Sequence, residues 1–101
     1  MVIEYQGKAY CSRDISPYEA AWKIEETPMI LDFFASQGKM ILGGDILTQD
    51  LQYTYDNWYY QENPNKTKSE NVKDSNLSAQ EYILKYIRSH GAAYHVVIVV
   101  S

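Results

Sequence analysis

Tyr94-His95-Val96-Val97-Ile98-Val99-Val100 is a nearly unbroken apolar run, rich in β-branched residues, near the end of the chain. A strand with one wet face alternates apolar and polar residues, whereas a run without alternation is covered on both faces. The segment therefore predicts a central strand of a sheet. A helical segment precedes it, so a crossover onto a strand parallel to an earlier one is the expected connection.

Working outward, Ser78-Ala79-Gln80-Glu81 has the spacing of a capping box and predicts a helix start. Tyr82, Ile83, Tyr86 and Ile87 then form one apolar stripe, with Leu84 on its flank. His90-Gly91 ends the helix, where a histidine suits the dipole. Upstream, Asn63-Pro64-Asn65 is a turn signal. The stretch from Glu62 to Asn76 is polar apart from Val72 and predicts a long, mobile, solvated loop at about 63–76. Met40-Ile41-Leu42 reads as a buried strand running into a turn or bulge at Gly43-Gly44-Asp45, and Ile46-Leu47 resumes it. Leu51 to Tyr60 is rich in strand formers, with Asp56-Asn57 as an interruption.

The first half follows the same logic. Val2 to Tyr10 predicts two short strands about a turn at Gln6-Gly7. Ser16-Pro17-Tyr18-Glu19 carries the serine, proline and glutamate of a capping box, so a helix is predicted from Pro17. Pro28 would break that helix. Thr27-Pro28 could then cap a second one from Pro28 to Gln37, closed by Gly38, so either two short helices or one kinked helix is expected. Ile24, Met29, Ile30, Phe33 and Phe34, joined by Trp22, give the apolar stripe expected of a helix laid on a sheet. The expectation is one α+β domain over residues 1–101, with a four- to five-stranded mixed sheet and helices packed mainly on one face.

Composition narrows the function. The 101 residues carry a net charge of -4 and 46% apolar residues. That opposes disorder and general nucleic-acid binding, which needs a basic footprint. No apolar run approaches the ~20 residues of a membrane span. The N-terminus lacks the pattern of a secretory signal, so a cytoplasmic protein is expected. Cys11 is the single cysteine and has no internal partner, and His90 and His95 do not make a zinc site with it. No cofactor is expected. Gly43-Gly44-Asp45 lacks the spacing of a phosphate loop and reads as a backbone kink.

Ten tyrosines are the compositional outlier. They are spread along the chain, and four of them, Tyr53, Tyr55, Tyr59 and Tyr60, fall in or beside Asp56-Asn57-Trp58-Tyr59-Tyr60, with Asp45 and Asp50 upstream and Glu62 just after. Aromatic rings with polar tips suit protein interfaces, and carboxylates beside them call for a basic partner. Asp45, Asp50, Tyr53, Tyr55, Asp56, Trp58, Tyr59 and Glu62 are the candidate partner-binding residues. Trp58 reads equally as a core residue or as an anchor. Asp45, Asp50 and Asp56 could converge for acid–base chemistry, but nothing in the chain defines a substrate cleft. No catalytic residues are assigned.

The order Met40-Ile41-Leu42-Gly43-Gly44-Asp45, then Tyr55-Asp56-Asn57-Trp58-Tyr59-Tyr60, then a capped helix near Ser78, resembles immunity proteins of bacterial polymorphic toxin systems. The type resembled is Immunity protein 40, over roughly Pro17 to Ile87. The resemblance implies a non-enzymatic inhibitor that binds a cognate toxin domain and protects the producing cell and its siblings in contact-dependent growth inhibition. Many such toxins are nucleases with basic clefts, which an acidic, tyrosine-rich inhibitor can occlude. The implied partner is that toxin alone, without direct nucleic-acid or membrane binding, and a monomer is the favoured state. The alternative is an interaction or small-ligand module with no toxin partner.

Overall fold

A computed structural model describes residues 1–101. Seven strands and two helices form a two-stranded and a five-stranded sheet. β1 (Val2–Tyr5) and β2 (Lys8–Cys11) make a separate hairpin. β3 (Arg13–Ser16), β4 (Glu19–Lys23), β5 (Ile41–Thr48), β6 (Tyr53–Tyr59) and β7 (Tyr94–Val100) form the main sheet in the order β3-β4-β7-β5-β6. The apolar run at the chain's end is the central strand, as its lack of alternation predicts. Each neighbour pair is antiparallel, so the predicted mixed sheet with a parallel crossover is replaced by an antiparallel one.

α1 (Thr27–Ser36) and α2 (Lys68–His90) cover one face of this sheet. Cross-strand partners share a face. Trp22, Val96 and Ile46 form one such row, and Ile98, Gly44 and Trp58 another. Ile46, Trp58 and Val96 pack with Ile24, Leu31 and the α2 residues Ala79, Ile83 and Tyr86 in the main core. The β1–β2 hairpin closes its end, where Ile3 and Tyr10 meet Trp22 and Ile30.

Two helix starts differ from the sequence reading. Ser16-Pro17-Tyr18-Glu19 is the turn of the β3–β4 hairpin, and the Ser16 Oγ accepts the Tyr18 amide at 3.2 Å. Serine before proline serves a turn as well as a helix cap. The outcome is decided by Ala21 and Trp22, which are buried on opposite faces of one strand. A helix from Pro17 would lose that two-sided cover.

The predicted loop at about 63–76 is largely the first half of α2. Its capping box is Thr67 and Glu70, not Ser78 and Glu81. Thr67 Oγ1 accepts the Glu70 amide at 3.1 Å, and Glu70 Oε1 accepts the Thr67 amide at 3.0 Å. Asn71 and Ser75 are fully buried on the helix face that continues through Ala79 and Ile83. They hold the place of apolar residues, so the stripe is invisible to a hydrophobicity reading. Asn71 compensates its burial fully. Its oxygen accepts from the Tyr60 hydroxyl at 2.7 Å and the Asn63 amide at 2.8 Å, and its Nδ2 donates to the Asn63 and Thr67 carbonyls at 3.0 Å each. Ser75 Oγ accepts the Ile41 amide at 2.9 Å and donates to the Val72 carbonyl at the same distance. These bonds tie α2 to β5 and to the segment after β6.

Candidate functional site

The second face of the five-stranded sheet has no helix on it. Arg13, Ala21, Val97, Asp45 and Asn57 form one row across all five strands. Lys23, His95, Leu47 and Tyr53 form the next. Ala21, Leu47 and Val97 are buried in a thin apolar layer covered in part by Ile15 and Leu51. Toward β6 the face is acidic and aromatic, while Arg13 and Lys23 make its opposite corner basic. His95, buried in the second row, has a proton affinity lowered first by burial, partly restored by a hydrogen bond with the Thr48 backbone, and lowered further by those two cations.

Tyr53 lies along this face. Its hydroxyl reaches Glu19 Oε2 on β4 at 3.2 Å. Burial raises its proton affinity first, followed by the charge of Glu19 and then the hydrogen bond to it, with a smaller push from Asp45. The third row is Val99, Gly43 and Tyr59. Gly43 has φ +154°, and a Cβ there would run into the Trp58 carbonyl and lie 3.0 Å from the Tyr59 Cα. Only glycine fits this approach of β5 to β6. Over this stretch lies a depression of about 260 Å³ whose lining includes Leu42, Gly43, Asp45, Asn57, Tyr59 and Val99.

The predicted site residues therefore separate. Asp45, Tyr53 and Tyr59 come together on the open face. Tyr55 is 87% exposed at an irregularity in β6 and holds φ +70°, a costly conformation for a bulky residue. Asp50 is exposed in the turn between β5 and β6. Glu62 is exposed beyond β6, beside Lys39 and Lys68 in a different depression.

Asp56 is exposed but held against α2, where its Oδ2 accepts the Tyr86 hydroxyl at 2.8 Å. Burial, then that bond, pushes the Tyr86 phenol up to about 12. Trp58 is a core residue, 8% exposed, its ring stacked on Tyr82 at 5.1 Å. It packs in the main core beneath the site. The three aspartates do not converge, since the depression over Gly43 holds Asp45 alone of them. No group of three or more His, Cys, Asp and Glu side chains is placed to hold a metal ion.

Sequence reasoning missed Glu19 and Val99. Glu19 was absorbed in the supposed helix cap, and Val99 in the two-sided cover assumed for β7. The signal available was the hairpin alternative at Ser16-Pro17, which would have placed Glu19 on a strand.

An antiparallel sheet with one face helix-covered and the other free of helices, acidic and tyrosine-bearing toward β6, defines a small α+β domain. The Immunity protein 40 family model matches residues 12–100 of this chain, and the chain belongs to that family. It is thus an immunity protein, and membership of the family implies a cognate toxin partner. No curated protein and no solved structure matches it. No helix is long and apolar enough to cross a membrane.

Proposed function

We propose that residues 1–101 act as one inhibitory unit that lays the β5–β6 side of the open sheet face on a basic surface of its toxin. A toxin arginine or lysine enters the depression over Gly43. Its cation meets the Asp45 carboxylate and the Asn57 side chain, and its stem lies between Val99 and the Tyr59 ring. The observation carrying this reading is Asp45 itself, a half-buried carboxylate at the mouth of a glycine-floored depression that takes part in none of the chain's ion pairs. A partly desolvated carboxylate gains most from a cation that arrives with the partner.

Tyr53, Tyr55 and Tyr59 supply aromatic contact, and Asp50, Asp56 and Glu62 lie further out and speed the encounter. A nuclease is the favoured toxin class, because a cleft that holds phosphates is basic. The inhibitor occludes that cleft and performs no chemistry of its own. It acts as a cytoplasmic monomer during contact-dependent growth inhibition.

The test pairs growth rescue with binding kinetics. Co-expression with the toxin encoded beside it should restore growth. Asp45→Asn should weaken the complex by about 2 kcal/mol or more, the range of a truncated hot-spot or buried charge pair. Folded protein that leaves the toxin active defeats the inhibitor reading. Full rescue with Asp45→Asn binding at wild-type affinity defeats the assignment to this face.

A further inference from the structure

The ladder between β4 and β7 is short. It joins Ala21–Lys23 to Val97–His95 and stops, although β4 begins at Glu19 and β7 runs on to Val100. Over Ile98–Val100, β7 pairs only with β5. In an antiparallel strand, the N–H and C=O groups point alternately to the two neighbours. The β4-side groups of this stretch therefore face a slot in the sheet with no laddered strand opposite. That slot is a cavity of about 640 Å³. Trp22, Phe34 and Ile98 give it apolar walls, while Asp14 and Glu19 are the charged side chains on its lining. The one cation there is the Met1 ammonium, 3.5 Å from Asp14.

We infer that this slot receives an extended segment of the toxin, which adds as a strand beside Ile98–Val100. The inference rests on the immunity reading above and goes beyond it. A strand of three residues spans about 10 Å. It would take up the unladdered backbone groups and bury alternate β-branched side chains against Trp22 and Phe34. The carboxylates of Asp14 and Glu19 select a lysine or arginine in that segment, because no lysine or arginine lines the slot to oppose it. Glu19 also receives the Tyr53 hydroxyl, so one residue of the slot lining is bonded to the open face.

The test is amide hydrogen exchange of the full chain, alone and in complex with the toxin domain that it neutralises. The slot-facing amides of Ile98–Val100 should exchange at least tenfold more slowly in the complex. Ala20→Trp, which fills the slot from the β4 side, should weaken binding at least tenfold. Should that variant fold poorly, the exposed Asp14→Asn should still weaken binding several-fold, more so at low salt. A neutralised complex with these amides unprotected, and with either folded variant binding normally, overturns the slot and leaves the sheet-face reading standing. Absence of any complex overturns both. Protection already present in the chain alone, and rising with its concentration, gives the slot to a second copy and overturns the toxin segment.

Discussion

Gly44→Ala isolates the packing on which the site rests. Gly44 lies on the helix-covered face, opposite Trp58 on β6 and Ile98 on β7. A Cβ there would come 2.5 Å from Trp58 Cη2 and 2.6 Å from Cζ3, and would also press on the Val97 carbonyl. The indole has little room to move, since it stacks on Tyr82 and sits in the main core. The carbonyl belongs to the central strand and moves only if the sheet moves.

Overpacking of a filled core costs about 1–3 kcal/mol. A clash with both a locked ring and backbone belongs at the upper end, so about 3 kcal/mol is expected. For a domain of this size that lowers the melting temperature by roughly 12–24 °C. Urea denaturation followed by tryptophan fluorescence and by far-ultraviolet circular dichroism measures the loss. Trp58→Leu in the Gly44→Ala background should recover the ring's share and not the carbonyl's, which a double-mutant cycle reads as coupling. A Gly44→Ala midpoint within the equivalent of 0.5 kcal/mol of wild type, a margin of the order of ordinary surface substitutions, would refute the close approach of the indole to β5.

Three further outcomes follow from particular residues. Tyr55→Gly removes an exposed ring and relieves its φ of +70°, so stability should stay within about 1 kcal/mol of wild type while toxin affinity falls at least tenfold; parallel melting and titration calorimetry separate the two. Tyr86→Phe should cost about 1 kcal/mol, less than a buried charge-assisted bond because exposed Asp56 rehydrates. The Tyr86 phenol is raised from 10.0 to about 12 in the fold, so its contribution is complete below pH 10 and is lost as pH climbs toward 12; the urea midpoint should drop over that range more steeply in wild type than in the variant. His95 is held below its ordinary 6.5, so the fold favours its neutral form; stability is present above pH 6.5 and falls as the unfolded chain takes up the proton below it, a slope that His95→Gln should flatten in urea titrations.

What the chain shows by itself is local and periodic. The unalternating run Tyr94–Val100 marks the central strand, because Val96 faces the helices and His95 and Val97 are buried on the other face, although Val99 further along lies on the open side. Met29 to Phe34 and Tyr82 to Ile87 mark helices, because the helical repeat brings their apolar residues to one side. The order of Gly43-Gly44-Asp45 and the tryptophan–tyrosine block marks the family. The acidic, tyrosine-rich segment has the composition that suits a protein interface.

Tertiary structure decided everything that depends on what lies opposite. Ser16-Pro17 could open a helix or close a hairpin, and burial of Ala21 and Trp22 on two faces chose the hairpin. Asn71 and Ser75 looked solvated because their partners, Tyr60, Asn63 and Ile41, are remote in sequence or on other elements. The candidate site was split in the same way. Alternation sends Trp58 to the core and Tyr59 to the open face, although they are adjacent in the chain. Asp45 and Glu19 reach one face only because β7 stands between their strands. A sequence records which side chains can pair with cations or fill a core. Their side of the sheet depends on register, which is set by contacts among all five strands at once.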